Sequence, residues 1–235
     1  SSMGNYYQRD EPTLTTPADA DSIISVGAVT LEGKIAAFSS NGPTSDGRTK
    51  PDVVAPGVGI WVAVSKTSSG NDSTYKFGDG TSFAAPITAG VCGLILSAHP
   101  HLTPLQVREA LRNTANNSST PNNVYGWGLI NAYDAILYWG PVWSNVTSTR
   151  FDDKGMYINT YLISKEKINP DFVKVSYSAV SKKDMKEYDM KLIEDLNDGT
   201  NSGLYEAFIP DEKTFHENLY VSFKFTDSSG KEWIR

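Results

Sequence analysis

From residue 82 to residue 96 the chain is nearly unbroken apolar sequence: Phe83, Ala84, Ala85, Ile87, Ala89, Val91, Leu94, Ile95 and Leu96. The run is apolar on every side, which predicts a helix buried inside a domain. Pro86 falls within the first turn, where its missing N–H has no intrahelical partner, so Ser82 stands at the helix N-terminus. Residues 23–29 are rich in β-branched side chains between Asp and Glu-Gly turn signals and read as a buried strand. Thr103-Pro104-Leu105-Gln106 combines capping-box spacing with proline at the first helical position, opening a second helix through Leu105, Ala110 and Leu111. A third helix starts at Asn131 and carries Ala132, Ala135, Ile136 and Leu137 inward. Strands interleaved with helices predict an α/β layer structure around a mostly parallel sheet.

The pattern changes near Gly140-Pro141. Residues 1–140 hold 15 of the 19 glycines and 19 charged residues, whereas residues 141–235 hold 4 glycines and 29 charged residues, which places a domain boundary there. The second part alternates in short aromatic-rich segments at 156–162, 172–177, 188–192, 204–209 and 219–225. Asn169-Pro170, Asn197-Asp198-Gly199 and Asp227-Ser228-Ser229-Gly230 punctuate them. Regularly spaced short strands predict an antiparallel β-sandwich. Asp195 to Gly199 lacks the spacing and terminal Glu of a calcium loop and reads as a turn.

Composition narrows the classes. With 235 residues, 39% hydrophobic content and a formal charge of -6, the chain is an ordinary, mildly acidic globular protein. Against that background the lysines at 182, 183 and 186 read as a solvated loop, and no nucleic-acid partner is expected. The single cysteine, Cys92, excludes a disulfide within the chain and reads as a small buried hydrophobe. No run approaches the roughly 18 apolar residues of a membrane span, and the start is not a signal peptide. Sequons at Asn71, Asn116, Asn117 and Asn145 matter only in a glycosylating host.

Candidate chemistry centres on Ser82. Free backbone N–H groups and the positive end of the helix dipole would stabilise an oxyanion formed beside its hydroxyl, although a serine in this position also serves as an ordinary N-cap. Gly80-Thr81-Ser82-Phe83-Ala84-Ala85-Pro86 resembles the nucleophile motif of the subtilisin-like serine peptidases. Further blocks follow the family's order: Ser25-Val26-Gly27-Ala28-Val29, Phe38-Ser39-Ser40-Asn41-Gly42-Pro43, Asp46-Gly47-Arg48, Lys50-Pro51-Asp52-Val53-Val54-Ala55-Pro56-Gly57 and Gly126-Trp127-Gly128-Leu129-Ile130-Asn131-Ala132.

The resemblance implies a three-layer subtilisin-like fold over residues 1–140 and a secreted or cell-surface endopeptidase acting on polypeptides. Ser82 would be the nucleophile. Ser2-Met3-Gly4-Asn5 resembles the block whose asparagine amide stabilises the oxyanion, which makes Asn5 the second catalytic candidate. Thr15 or Thr16 would lie near the primary specificity pocket. Asp52 matches a structural block and is expected to accept backbone hydrogen bonds at a turn. No cofactor is required; Asp19 and Asp21 fall where some family members hold a weak cation, so structural calcium there is an option. In the family the base histidine and its aspartate precede the serine, yet the histidines here are His99, His101 and His216. The chain therefore looks like the C-terminal part of a catalytic domain, partnered by the upstream part, with His99 and His101 as helix-end or turn residues. The ending from Tyr220 to Lys231 is similar to fibronectin-III-like or immunoglobulin-like modules, implying a β-sandwich over 141–235. Two alternatives remain: a noncatalytic fragment whose sandwich binds or stabilises, and an α/β-hydrolase pairing Ser82 with His216, which the absence of Gly-x-Ser-x-Gly disfavours.

Overall fold

The computed structural model describes residues 1–64, 75–144, 148–178, 180–210 and 220–235. The chain forms two compact units, Ser1–Trp139 and Gly140–Arg235. His216, Asn71 and Asn145 lie outside the described residues.

In the first unit, strands β1 (Val26–Val29) and β2 (Val53–Pro56) pair in parallel, with Val26 opposite Val53. Isolated parallel bridges from Ser2 to Val26 and from Val54 to Leu129 extend this sheet on both sides. A hairpin of β3 (Ile60–Ala63) and β4 (Tyr75–Gly78) leads into helix α1 (Thr81–Ala98), followed by α2 (Pro104–Thr114) and α3 (Ala132–Ile136). Helix α1 packs on β1 and β2, and α2 and α3 pack on α1. Val26, Ala28, Val53 and Ala55 meet Ala84, Val91 and Ile95 in one core. The capping box on Thr103 and Gln106 is formed, and Asn131 caps α3 by accepting from the Asp134 N–H. His99 ends α1, its ring Nε2 2.9 Å from the Ile136 carbonyl; His101 follows in the turn.

Two expectations about α1 need correcting. The helix buries one stripe, through Thr81, Ala84, Thr88, Val91 and Ile95, rather than its whole circumference. Leu94 and Leu96 are 54% and 40% exposed, because the sheet and the other two helices reach only one side. Its 18 residues are also long and apolar enough, by length and composition, to cross a membrane. Counting uninterrupted apolar residues overlooked this because Thr, Ser and Gly break the run without adding charge. The strand expected over 23–29 starts only at Val26, since the Ser25 N–H and hydroxyl turn aside to the Asp52 carboxylate, at 2.7 and 2.8 Å.

The second unit has two antiparallel sheets. One is ordered β10 (Lys191–Asp195), β11 (Gly203–Pro210), β7 (Gly155–Ile163) and β5 (Val142–Trp143), with β6 (Ser148–Asp152) also on β7. The other runs β13 (Glu232–Ile234), β12 (Tyr220–Thr226), β8 (Lys174–Ser178) and β9 (Lys186–Asp189). Alternation puts Met156, Ile158, Leu162, Tyr205, Ala207 and Ile209 from one sheet, and Val175, Tyr177, Phe223 and Phe225 from the other, into a common core. Trp143 stacks on Phe223 at 5.1 Å and meets Phe225 edge-on at 5.7 Å. The segment 188–192, expected as a single strand, is divided between β9 and β10. Met190 is buried at the corner, its N–H bonded to the Val173 carbonyl at 2.8 Å, and the chain changes sheet there. Strands β5, β6 and β13 were not expected; β5 and β13, of two and three residues, are too short to carry a period-two signal.

Asp52, fully buried, is the first unit's electrostatic anchor. Beyond the backbone bond expected of it, its carboxylate takes the ammonium of buried Lys50 at 2.8 Å and the Arg112 Nε at 2.8 Å, with Arg112 Nη2 also bound. Lys50 also donates to the Ile23 carbonyl at 3.0 Å. Burial alone would raise the Asp52 pKa, but Arg112, Lys50 and Ser25 together hold it below the usual carboxylate range. The contribution of this group to stability is thus complete above the unfolded value of about 3.9 and fades as pH falls through the depressed folded value. Asp52→Ala, which strands the Lys50 ammonium, is expected to cost about 3–5 kcal/mol, read as a lower urea midpoint at neutral pH. An unchanged midpoint would refute the anchoring role.

Candidate active site

Helix α1 begins in a turn that only glycine tolerates well. Gly80 has φ 149° and ψ 156°, a region essentially reserved for glycine. Its N–H reaches the Gly57 carbonyl at 2.8 Å, and the Gly57 N–H reaches the Val29 carbonyl at 2.9 Å, so the helix start is hung from the end of β1. A Cβ on Gly57 would lie 2.7 Å from Ala28 Cβ and 2.8 Å from the Gly80 carbonyl oxygen, closing that approach.

The first-turn donors can be accounted for individually. The Thr81 N–H donates to Asn5 Oδ1 at 3.0 Å, and the Phe83 N–H to the Gly80 carbonyl at 3.0 Å. Between them the Ser82 N–H has no partner among the described residues. The Ser82 side chain is exposed, so its hydroxyl is open to an incoming molecule. Asn5, 76 positions earlier in sequence, also accepts the Thr81 hydroxyl at 2.9 Å on the same Oδ1. A backbone N–H can only donate, so this bond fixes which end of the Asn5 amide is oxygen and turns Nδ2 away as a free donor. Two uncharged donors, Asn5 Nδ2 and the Ser82 N–H, thus remain unspent beside an exposed hydroxyl. That arrangement suits charge appearing on a carbonyl oxygen.

The structure brings Ser82 and Asn5 together through Thr81, whose role the sequence reading missed. Thr81 is buried and also accepts the Gly4 N–H on its hydroxyl at 3.3 Å. Its only sequence signal was its place in Gly-Thr-Ser, because its partner lies far away in the chain. Thr15 lines an open depression of about 340 Å³ with Tyr6, Arg9, Pro12, Thr13 and Leu14, directly following Asn5; Thr16 instead hydrogen-bonds Asp19 at 3.4 Å. His99 and His101 lie at the far end of α1 from Ser82. At the positions weighed for calcium, both carboxylates have neighbours within the protein. Asp19 takes the Thr16 hydroxyl, Asp21 lies 3.7 Å from Arg48, and no three His, Cys, Asp or Glu side chains gather for a metal among the described residues. Cys92 is half-buried rather than buried, and burial pushes its thiol up.

Comparison with known proteins gives the same region a family. The sequence profile of the subtilase family matches residues 1–128. Serine protease AprX of Bacillus subtilis strain 168 is 36% identical over 143 residues, covering 54% of this chain and 32% of that protein. Subtilisin DY of Bacillus licheniformis is 41% identical over 119 residues, covering 51% of this chain and 39% of that protein. Among solved structures, the prenylagaramide maturation protease PagA aligns with a TM-score of 0.46 at 31% identity, over 57% of this chain and 48% of that one. The chain spans less than half the length of each.

The turn itself is open to test. Gly80→Ala places a methyl 3.2 Å from Asn5 Nδ2 and forces a side chain into the glycine-only region. A loss of about 1–3 kcal/mol is expected from thermal or urea unfolding. A midpoint equal to that of the unchanged chain would show the turn to be unstrained.

Proposed function

Because the chain belongs to the subtilase family, we propose that it carries the nucleophile of a serine endopeptidase that hydrolyses polypeptides through an acyl-enzyme on Ser82. The observation that carries this reading is the pair of open donors, Asn5 Nδ2 and the Ser82 N–H, beside an exposed hydroxyl at the head of α1. Ser82 Oγ attacks the substrate carbonyl carbon, and the carbonyl electron pair moves onto oxygen. The two donors receive that oxyanion, and its collapse expels the amine and leaves the acyl group on Ser82; water then releases the acid. A base must take the serine proton and return it to the leaving amine. No histidine precedes Ser82 in this sequence, so the proposal assigns the base and its orienting aspartate to residues upstream of it. The exposed apolar side of α1, with Leu94 and Leu96 outward, supports cover by a further part of the same catalytic domain. A secreted or cell-surface setting is part of the same proposal.

For residues 141–235 the proposal is an accessory β-sandwich of the fibronectin-III or immunoglobulin kind. It is supported by two antiparallel sheets sharing one core, and by the Tyr205 hydroxyl, which donates to the Asn201 carbonyl four residues upstream at 2.7 Å. Such a tyrosine corner recurs in these sandwiches. A piece comprising residues 140–235, which keeps β5 and the core Trp143, is expected to keep β-type circular dichroism on its own; an unfolded spectrum would refute its independence.

In the parent chain with its upstream segment, Ser82→Ala should abolish labelling by a fluorophosphonate, whereas Asn5→Ala should still label, only more slowly. For Asn5→Ala, kcat should fall by about 10²–10³ with little change in KM, the size of loss that follows removal of the oxyanion donor in subtilisin. The 235-residue chain alone should label weakly, since its serine keeps an ordinary hydroxyl's reactivity. Full activity of Asn5→Ala with an unchanged unfolding midpoint would remove Asn5 from the mechanism. Rapid stoichiometric labelling of the chain alone would refute the need for an upstream base.

A further inference from the structure

In a protein of net charge -6, four cationic side chains converge on one cavity. It measures about 170 Å³, and Arg48, Lys50, Arg108, Arg112, Asp21 and Trp127 form its wall. Carboxylates compensate this charge unevenly. Lys50 and Arg112 share the single buried carboxylate of Asp52. Arg48 spends its Nε on both oxygens of Asp46, at 3.0 and 2.9 Å, and Nη2 on the Asp19 carbonyl at 2.9 Å. Its Nη1 is buried without a hydrogen-bond partner, the nearest carboxylate oxygen being Asp21 Oδ1 at 3.7 Å. Arg108 donates from Nη1 to the Asp21 backbone carbonyl, and its other nitrogens have no hydrogen bond among the described residues. Arg108 and Arg112 stand four residues apart on α2, where like charges repel. Arg112 lies over the Trp127 ring, its guanidinium carbon 3.8 Å from the centroid, a cation–π contact that holds the side chain in place.

A buried guanidinium N–H costs free energy until an acceptor reaches it. Asp21 does not supply one; its carboxylate, with the side chain 73% exposed, sits at the rim. We propose that this cavity binds a small oxyanion of the phosphate class. The forked donors of arginine match the oxygens of such an anion, and several guanidinium groups can share its charge. Water takes about 30 Å³ in the liquid, so a cavity of about 170 Å³ has room for a tetrahedral oxyanion and accompanying water. Binding would place negative charge between Arg48 and Arg108 and would tie α2 to the loop that carries Asp19 and Asp21. The inference does not depend on the peptidase reading, because none of these residues takes part in the Ser82 site.

The test titrates inorganic phosphate into the 235-residue chain at constant ionic strength in chloride, by isothermal titration calorimetry. Saturable one-to-one binding is expected, weakened about tenfold or more in Arg108→Gln by loss of a charge-assisted bond, with Arg108→Lys intermediate. A second readout uses the unchanged chain: phosphate should protect Arg108 and Arg48 from phenylglyoxal, as seen by peptide mass spectrometry. Absence of saturable binding, equal affinity in a folded Arg108→Gln, or modification of both arginines unaffected by phosphate would each overturn the proposal. Acetate binding as tightly as phosphate would overturn the assignment to the phosphate class.

Discussion

The Asp52 carboxylate is the interaction on which the first unit depends. Removing a carboxylate from water costs several kcal/mol, and that cost is offset only when its oxygens are fully engaged. Here donors come from Ser25 at the entry to β1, from Lys50 just before β2, and from Arg112 on α2. The Asp52 carbonyl also accepts the Trp127 N–H at 3.0 Å, which draws in the strand-like segment that bridges Val54. A slip of β1 against β2 would pull Ser25 from the carboxylate and leave charge buried without compensation. The parallel register is therefore set by electrostatics as well as by the apolar faces of Val26, Ala28, Val53 and Ala55.

That register also positions the head of α1, where the proposed chemistry would occur. Gly57 and Gly80 hang the head of α1 from the end of β1, and Thr81 fastens the head to Asn5. Each donor in the first turn except that of Ser82 is spent on holding the turn together. In the proposed mechanism, preorganisation of this kind would place an open N–H where charge develops before a substrate arrives, so reorganisation would cost little at the moment of reaction.

Much of this was legible in the sequence because the signals were local. The Thr103 capping box, the Asn131 cap, the turn signals of the second unit and the glycine before Ser82 each act within a few residues. What the sequence hid was long-range. The pairing of Thr81 with Asn5 spans 76 positions, and nothing near Thr81 signals a distant acceptor. The one-sided burial of α1 was hidden for a different reason: with apolar residues all round, its composition cannot say which side meets the sheet. The segment 188–192 alternates like one strand, so periodicity carried no trace of the corner at Met190.

That corner has a consequence for how the second unit comes apart. Because Asp189 ends a strand of one sheet and Lys191 begins a strand of the other, a single buried residue joins the two sheets covalently. Neither sheet can slide along the other without pulling its own ladder out of step, so shear is resisted by bonds along the chain as well as by packing. Partial opening that spares one sheet is thereby penalised. The two sheets should lose their amide protection together, as one cooperative body, rather than peeling away in sequence.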